Sequence, residues 1–297
     1  MDVNYNKPVI YDLKWEVGSH ICFLKDIQHT IYSAIKSGMY TCQFFLGSPK
    51  SFNRSRISDI DIINSKKMVD RYPINVFSHA PYLFNLAGSK DQLAWVGDEI
   101  QDKKTLHVIK ELSYELSIMS NFNGVIVHPG NSVDRERGLN AISLSINKID
   151  FTEGSRLLLE NSAGQGTSLA TTFEEISHII DKVDTKVKKH IGVCIDTAHI
   201  FGYGEYDIRT IKGVEKMLDD FDTLIGLDRL WLLHLNDSEV PFASKKDRHA
   251  LIGTGYIWKD SNESLLYLLE RCKTNKTPIC LETSPSDMQT MLELSCN

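Results

Sequence analysis

Residues 191–199 read IGVCIDTAH: an apolar stretch closes on an acid, Asp196, and a histidine, His199, follows three positions later. Taken alone, such a pair has an ordinary explanation, in which Asp196 caps the next helix and His199 packs beside it. The same event recurs along the chain, and the recurrence decides the fold. Short runs rich in Val, Ile, Leu, Phe and Cys stand at VGSHI (17–21), TCQFFLG (41–47), NVFSHA (75–80), GVIVHPG (124–130), RLLLENS (156–162), IGVCIDTAH (191–199), RLWLLHLND (229–237) and PICLETS (278–284). Continuous apolar runs of this length suit strands buried on both faces of a parallel sheet. Eight of them, separated by helical patterns, predict an α/β fold of the closed (β/α)8 or TIM-barrel type. An open doubly wound sheet is the alternative, but no GxGxxG turn follows any of the runs.

The intervening segments carry helical periodicity. Phe23, Leu24, Ile27, Ile31, Ala34 and Ile35 share one face before Gly38, and Leu106, Ile109, Leu112, Leu116 and Met119 share another before the fourth run. Phe173, Ile176, Ile179, Ile180 and Val183 repeat the pattern before the sixth. With 297 residues, 42% of them hydrophobic, and no low-complexity tract or Pro/Gly linker, the chain is read as one barrel domain over 17–297 behind an N-terminal extension, 1–16. No apolar window of about 18 residues suggests a membrane span, and the N-terminus lacks a signal-peptide layout. An intracellular protein is expected, not secreted and without membrane contact, in nucleus or cytoplasm. Cys22, Cys42, Cys194, Cys272, Cys280 and Cys296 form no CxxC pair and are read as reduced core residues. The net charge of −6 argues against a broad basic face for coating nucleic acid. It leaves room for a local site whose positive charge comes from bound metal.

The runs end in chemistry. The third stops at His79, the fourth at His128, the fifth at Glu160, the sixth at Asp196 with His199, the seventh at His234 and the eighth at Glu282, while the polar loop KKDRHALIGTG adds Asp247 and His249. All strand C-termini of a parallel barrel open on one face, so these side chains converge. Singly, each is more often a satisfied polar residue or a solvated acid than a ligand. Together they require many independent ordinary explanations on the same face, and a metal site needs one. His, Asp and Glu without Cys suit Zn²⁺, Mn²⁺ or Fe²⁺. Nine such side chains exceed what a single tetrahedral zinc takes, about four, and favour a cluster.

On the segments SHAPYLFNLA (78–87), VHPG (127–130), LLLENSAGQGT (157–167), GVCIDTAH (192–199), LHLNDS (233–238), DRHALIGTG (247–255) and ICLETS (279–284), the chain resembles the endonuclease IV family of apurinic/apyrimidinic (AP) endonucleases. The resemblance covers about residues 17–285 and implies a barrel holding three Zn²⁺ ions, with Mn²⁺ admissible at one position. Carried over, His79, His128 and Glu160 hold one ion. Glu160 as a bridge, with Asp196, His234 and Glu282, holds the second, and His199, Asp247 and His249 hold the third. Glu160 and Glu282 are the implied catalytic carboxylates. The implied reaction is hydrolysis of the phosphodiester 5′ to an abasic site in duplex DNA, leaving a 3′-hydroxyl and a 5′-deoxyribose phosphate, with trimming of blocked 3′ ends besides. Lys50, Tyr82, Leu83 and Arg248 are the implied DNA contacts, and a monomer is expected. The chain departs from the family pattern in an extra residue within Gly204–Asp207, in GTG at 253–255, and in its first 16 residues. Two rivals stand beside this one: a metal-dependent sugar isomerase or epimerase of similar barrel, and a non-catalytic module that recognises damaged DNA.

Overall fold

All eight apolar runs are strands in the structure, a computed structural model that describes residues 13–88, 95–96, 99–100, 102–283 and 285–295. They are β1 (Val17–His20), β2 (Thr41–Phe44), β3 (Asn75–His79), β4 (Gly124–Val127), β5 (Leu157–Glu160), β6 (Ile191–Asp196), β7 (Leu230–His234) and β8 (Ile279–Leu281). Each pairs in parallel with its sequence neighbours, and β1 pairs with β8 through Val17–Ile279, Gly18–Cys280 and Ser19–Leu281, which closes the barrel.

Helices α1 (Ile27–Lys36), α2 (Asp59–Arg71), α3 (Lys103–Met119), α4 (Arg135–Asn147), α5 (Phe173–Lys182), α6 (Thr185–Lys188), α7 (Thr197–Tyr203), α8 (Ile211–Leu224), α9 (Glu263–Asn275) and α10 (Pro285–Ser295) fill the connections. Most begin at a side-chain oxygen that accepts a first-turn amide: Asp26, Ser58, Asp102, Asp134, Thr172, Asp196 and Thr210 all do so. Capping corrects two periodicity readings. Asp26 starts α1 at Ile27, so Phe23 and Leu24 lie ahead of the helix and Leu24 is exposed. Asp102 phases α3 so that Thr105 and Val108 face inward and Leu106 faces out.

The outward-pointing strand residues Val76, Val125, Leu157, Leu159, Val193, Ile195 and Leu233 join the helices in one shell of core. A second, smaller cluster, Phe77, Ile126, Leu158, Cys194, Leu232 and Cys280, fills the inside of the barrel. Below the barrel, Trp15 is buried and its indole donates to Glu270, while the Glu16 carbonyl accepts from Thr41 Oγ1 and from the Ile279 amide, both at 3.0 Å. Residues 13–16 of the expected N-terminal extension thus pack under β1, β2 and β8, and residues 1–12 lie outside the described residues. Cys42, Cys194, Cys272 and Cys280 are free and buried as expected, and burial pushes the Cys42, Cys194 and Cys272 thiols up to about 12. Cys22 is exposed instead, because it sits in the turn after β1, and Cys296 lies outside the described residues. Among the described residues no helix is long and apolar enough to cross a membrane.

Candidate metal centre

Strand alternation builds the site. Side chains two residues apart point to the same side of a strand, so each interior apolar residue dictates the residue above it. Phe77 places His79, Ile126 places His128, Leu158 places Glu160, Cys194 places Asp196, Leu232 places His234, and Cys280 places Glu282. These six form a polar layer at the C-terminal mouth. His199 enters it from the first turn of α7, and Asp247 and His249 from the long loop after β7.

Three groups result, in each of which one ligand atom per residue lies within 4.8 Å of the others: His79–His128–Glu160, Glu160–Asp196–His234–Glu282, and Asp196–His199–His249. Glu160 spans the first two. Its Oε2 is 3.0 Å from His79 Nε2 and 3.4 Å from His128 Nε2, and its Oε1 is 3.0 Å from His234 Nδ1. Asp247 completes the third group from the loop, 3.1 Å from both His199 Nε2 and His249 Nε2. Asp196 serves two ends at once. Its Oδ1 caps α7 by accepting the His199 amide at 2.9 Å, while Oδ2 lies 3.6 Å from His249 Nε2. The capping and the converging readings of Asp196 are therefore both correct, one for each oxygen.

Hydrogen bonds around the rim fix which ring nitrogen faces inward. His79 Nδ1 meets the Ala80 carbonyl at 2.7 Å, and His199 Nδ1 meets the Asn161 carbonyl at 2.8 Å. A carbonyl only accepts, so each ring carries its proton there and turns Nε2 to the centre. His234 is oriented by Gln43: the amide nitrogen of Gln43 donates to Glu282 Oε1 at 2.8 Å, which leaves its oxygen 2.7 Å from His234 Nε2. His234 Nδ1 then faces Glu160. Asn236 donates to both Asp196 Oδ2 (2.7 Å) and Glu282 Oε2 (3.0 Å).

Inward-facing ring nitrogens with lone pairs, 3.0 Å from carboxylate oxygens, need a cation between them. The residues present fit divalent metal: the buried Nε2 atoms of His199 and His249 both converge on the Asp247 carboxylate at 3.1 Å, where a ring lone pair and an anionic oxygen need a cation between them. Protons fill this role in the metal-free protein. Burial pulls His199, His234 and His79 down, but their neighbours outweigh it and hold all three above the ordinary histidine value: Asp196, Asp247 and Glu160 for His199, Cys194 followed by Glu282 and Glu160 for His234, and Glu160 and Glu282 for His79. His249 is pushed up to about 9 by Asp196 and Asp247 against its burial. The same proximity, working against burial, holds Glu160 well below the usual carboxylate range and Glu282 at about 2.

The loop carrying Asp247 and His249 is anchored by a buried acid. Asp237 Oδ1 accepts from the amides of Ser238 (2.7 Å) and Ile257 (2.9 Å), and Oδ2 from those of Gly253 and Gly255 (both 3.1 Å). A Cβ at Gly255 would lie 2.5 Å from Asp237 Oδ1, so this close approach requires glycine. That accounts for the last residue of GTG.

Of the four expected DNA contacts, Tyr82 and Arg248 line the cleft at the mouth. Tyr82 and Leu83 are exposed at 59% and 45%, and the Tyr82 ring stands 5.7 Å from that of His79 and 5.9 Å from that of His128. Lys50 is exposed on the loop after β2, and no ion pair of its side chain is found among the described residues. Arg248 is exposed and donates to the Asp247 carbonyl at 2.5 Å, so its side chain folds along the loop. Between these rims lies a cleft of about 450 Å³, lined by Tyr82, His128, Asn131, Gln165, His199 and Arg248 among others.

Four residues of the polar layer were not anticipated from sequence: His20, Gln43, Asn161 and Asn236. His20 and Gln43 occupy on β1 and β2 the position that ligand-bearing residues hold on the other strands, and the same two-residue alternation finds them once the strand phase is known. Burial pulls His20 down to about 4, so it is a neutral acceptor for Gln43. Asn161 directly follows Glu160 and Asn236 stands two residues after His234; a polar side chain in a buried turn beside a ligand was the signal that could have found them.

The sequence profile described as xylose isomerase-like TIM barrel matches residues 31–293. The chain is 35% identical over 280 residues to a protein of Clostridium botulinum (strain Alaska E43 / Type E3) described as probable endonuclease 4, covering 92% of this chain and 94% of that one. It is 34% identical over 296 residues to the apurinic-apyrimidinic endonuclease of Caenorhabditis elegans, covering 94% of this chain and 69% of that one. The crystal structure of endonuclease IV from Thermus thermophilus is similar with a TM-score of 0.77 at 23% identity, covering 95% of this chain and 97% of that one, a likeness of fold.

Proposed function

Because the chain belongs to the endonuclease IV family of xylose isomerase-like TIM barrels, we propose that it is a zinc-dependent AP endonuclease. It hydrolyses the phosphodiester 5′ to an abasic site in duplex DNA, leaving a 3′-hydroxyl and a 5′-deoxyribose phosphate, and it trims blocked 3′ ends. The observation that carries this reading is Glu160, whose two oxygens face two separate clusters of inward-turned ligand atoms while a third cluster stands beside them. Three Zn²⁺ ions are assigned to these clusters, with Mn²⁺ admissible at one. Closely paired divalent ions supply a nucleophile by lowering the pKa of water towards about 7, and they stabilise charge on the phosphate oxygens.

The chain's own residues do the rest. His79, His128 and Glu160 would hold one ion, Glu160, Asp196, His234 and Glu282 the second, and His199, Asp247 and His249 the third, with Asp196 near enough to share. Glu160 and Glu282 carry charge at any working pH because both lie far below the ordinary glutamate value. Gln43, Asn161 and Asn236 keep the ligands in register. Tyr82 and Leu83, apolar yet exposed beside the centre, suit the gap left where a nucleotide without its base is turned out of the helix. Lys50 and Arg248 supply positive charge to phosphate on a protein that is acidic overall. We infer a monomer acting inside the cell.

A duplex carrying one tetrahydrofuran abasic analogue, which cannot undergo β-elimination, tests the assignment. Metal-replete protein should cut just 5′ to the analogue, leaving a 3′-hydroxyl, and Glu282→Gln should abolish the cut. Metal content should approach three ions per chain. Binding without cleavage would support the recognition module instead, and one or two ions with no cleavage would support a sugar isomerase or epimerase.

A further inference from the structure

Away from the metal centre, buried charge gathers where the loop between β2 and α2 meets α3, at Arg54, Glu111 and Glu115. Arg54 is 4% exposed, in the loop between β2 and α2. Its Nη2 donates to two carbonyls of the same loop, Ser48 at 2.8 Å and Ser51 at 3.0 Å, on either side of Lys50. Its own amide donates to Glu111 Oε2 at 3.1 Å, and Glu111 Oε1 takes Arg56 Nη2 at 2.7 Å. The Ile57 amide donates to the Tyr114 hydroxyl at 2.7 Å, so one face of α3 stitches the loop from 48 to 57. Glu115, fully buried on that face, lies 3.9 Å from Arg54 Nε. Burial pushes the Glu115 carboxyl up to about 7, as befits an acid whose cation stands off instead of touching it.

The guanidinium also reaches the second rim segment. It lies 5.8 Å from the ring of Phe84, two residues after Tyr82, and Phe84 stacks on Phe52 at 6.3 Å. A single side chain is therefore bonded to the loop bearing Lys50 and packed under the turn bearing Tyr82 and Leu83. Buried ion pairs are poor sources of net stability, since desolvating both charges offsets their attraction. A buried arginine whose Nη2 bonds two loop carbonyls, while Nε and Nη1 find no hydrogen-bond partner among the described residues, is better explained by the shape it imposes than by net stability.

We propose that Arg54, braced by Glu111 and Glu115 of α3, is a positioning residue that holds the 48–52 and 82–84 rim segments at the fixed separation a damaged duplex requires. A loop ordered before binding does not have to be ordered by the ligand, so the gain appears as affinity for duplex and not as speed of bond cleavage. The inference rests on the AP-endonuclease reading above.

The test compares two substrates on metal-replete, full-length protein: the abasic-analogue duplex and bis(4-nitrophenyl) phosphate, a diester too small to touch the rim. Two variants are used. Arg54→Lys keeps the charge but ends one bond short of Nη2, which draws its donors back from the two carbonyls, and Arg54→Met with Glu115→Gln removes both charges so that neither is left buried alone. Losing two charge-assisted hydrogen bonds to the loop should raise KM for the duplex by about tenfold or more. Duplex kcat, small-diester hydrolysis and metal content should stay near wild type, and hydrogen exchange should rise at 48–52. An unchanged duplex KM would overturn the proposal. So would a parallel fall of both activities, which marks a general structural role. Wild-type protein that hydrolyses the small diester but leaves the duplex intact would instead sink the AP-endonuclease reading, independently of Arg54.

Discussion

Gln43 shows how one uncharged side chain can govern a charged site. It is fully buried, and its amide settles two questions at once: which nitrogen of His234 carries the proton, and where Glu282 points. Partners of this kind typically change metal affinity by about 10–100-fold when removed. Gln43→Ala should therefore weaken metal binding by about that factor in competition with a chelator, with little change in far-UV circular dichroism; unaltered affinity would leave Gln43 without a role in orienting His234. Protonation belongs to the same scale. His249 has its pKa raised to about 9, so in metal-free protein its contribution to stability is complete below the unfolded value of about 6.5 and is lost as pH rises through about 9. Glu282 is depressed to about 2, so its contribution is complete above about 4.5 and is lost as pH falls through about 2. Metal displaces the histidine protons, and the gap in melting temperature between metal-loaded and chelated protein should widen from pH 6.5 to 9. A gap that narrows over that interval would contradict the proton-for-metal exchange.

Among the elements, the loop after β7 depends most on a single residue. Asp237 accepts four backbone amides and so shapes the segment that delivers Asp247 and His249. Asp237→Asn would turn a donor towards amides that can only donate, which leaves buried N–H groups without partners at about 1–3 kcal/mol each. The expected result is a lower melting temperature and the loss of close to one metal ion per chain, read by elemental analysis; full metal content in the variant would show that the loop holds its shape by other means. Elements were unequally legible in the sequence. The strands were readable because burial on both faces leaves continuous apolar runs, as in β5 and β6. The start of α1 was not read from periodicity, because Phe23 and Leu24 extend the apolar pattern past Asp26, and only the capping hydrogen bond decides. In α3, Glu111 and Glu115 are buried and Leu106 is exposed, an inversion that periodicity cannot foresee because Arg54 and Arg56 come from a distant loop to meet those acids.

For the whole molecule, the parallel barrel turned scattered residues into one site, and that much was available from the recurrence of acids and histidines at strand ends. The chemistry of the layer was less so for β1 and β2, where His20 and Gln43 stand in runs whose neighbours Gly18 and Thr41 give no apolar marker of the inward face. Metal should stabilise the fold as well as activate it, since ions that bind only the folded chain add to its stability by mass action. Chelation should lower the melting temperature by several degrees at neutral pH, and a midpoint indifferent to chelator would show that the nine side chains bind no metal.

Closure of the barrel has a consequence for the life of the chain before it is complete. The seam joins β1 to β8, the first strand to leave the ribosome and the last, and Glu282 is made immediately after β8. Until those residues emerge from the exit tunnel, the nascent polypeptide has an open sheet edge and an incomplete ligand set. A partly synthesised or prematurely terminated product ending before residue 279 should therefore bind metal incompletely and leave DNA intact. Topology by itself delays assembly of the complete ligand set until the eighth strand and Glu282 have left the ribosome.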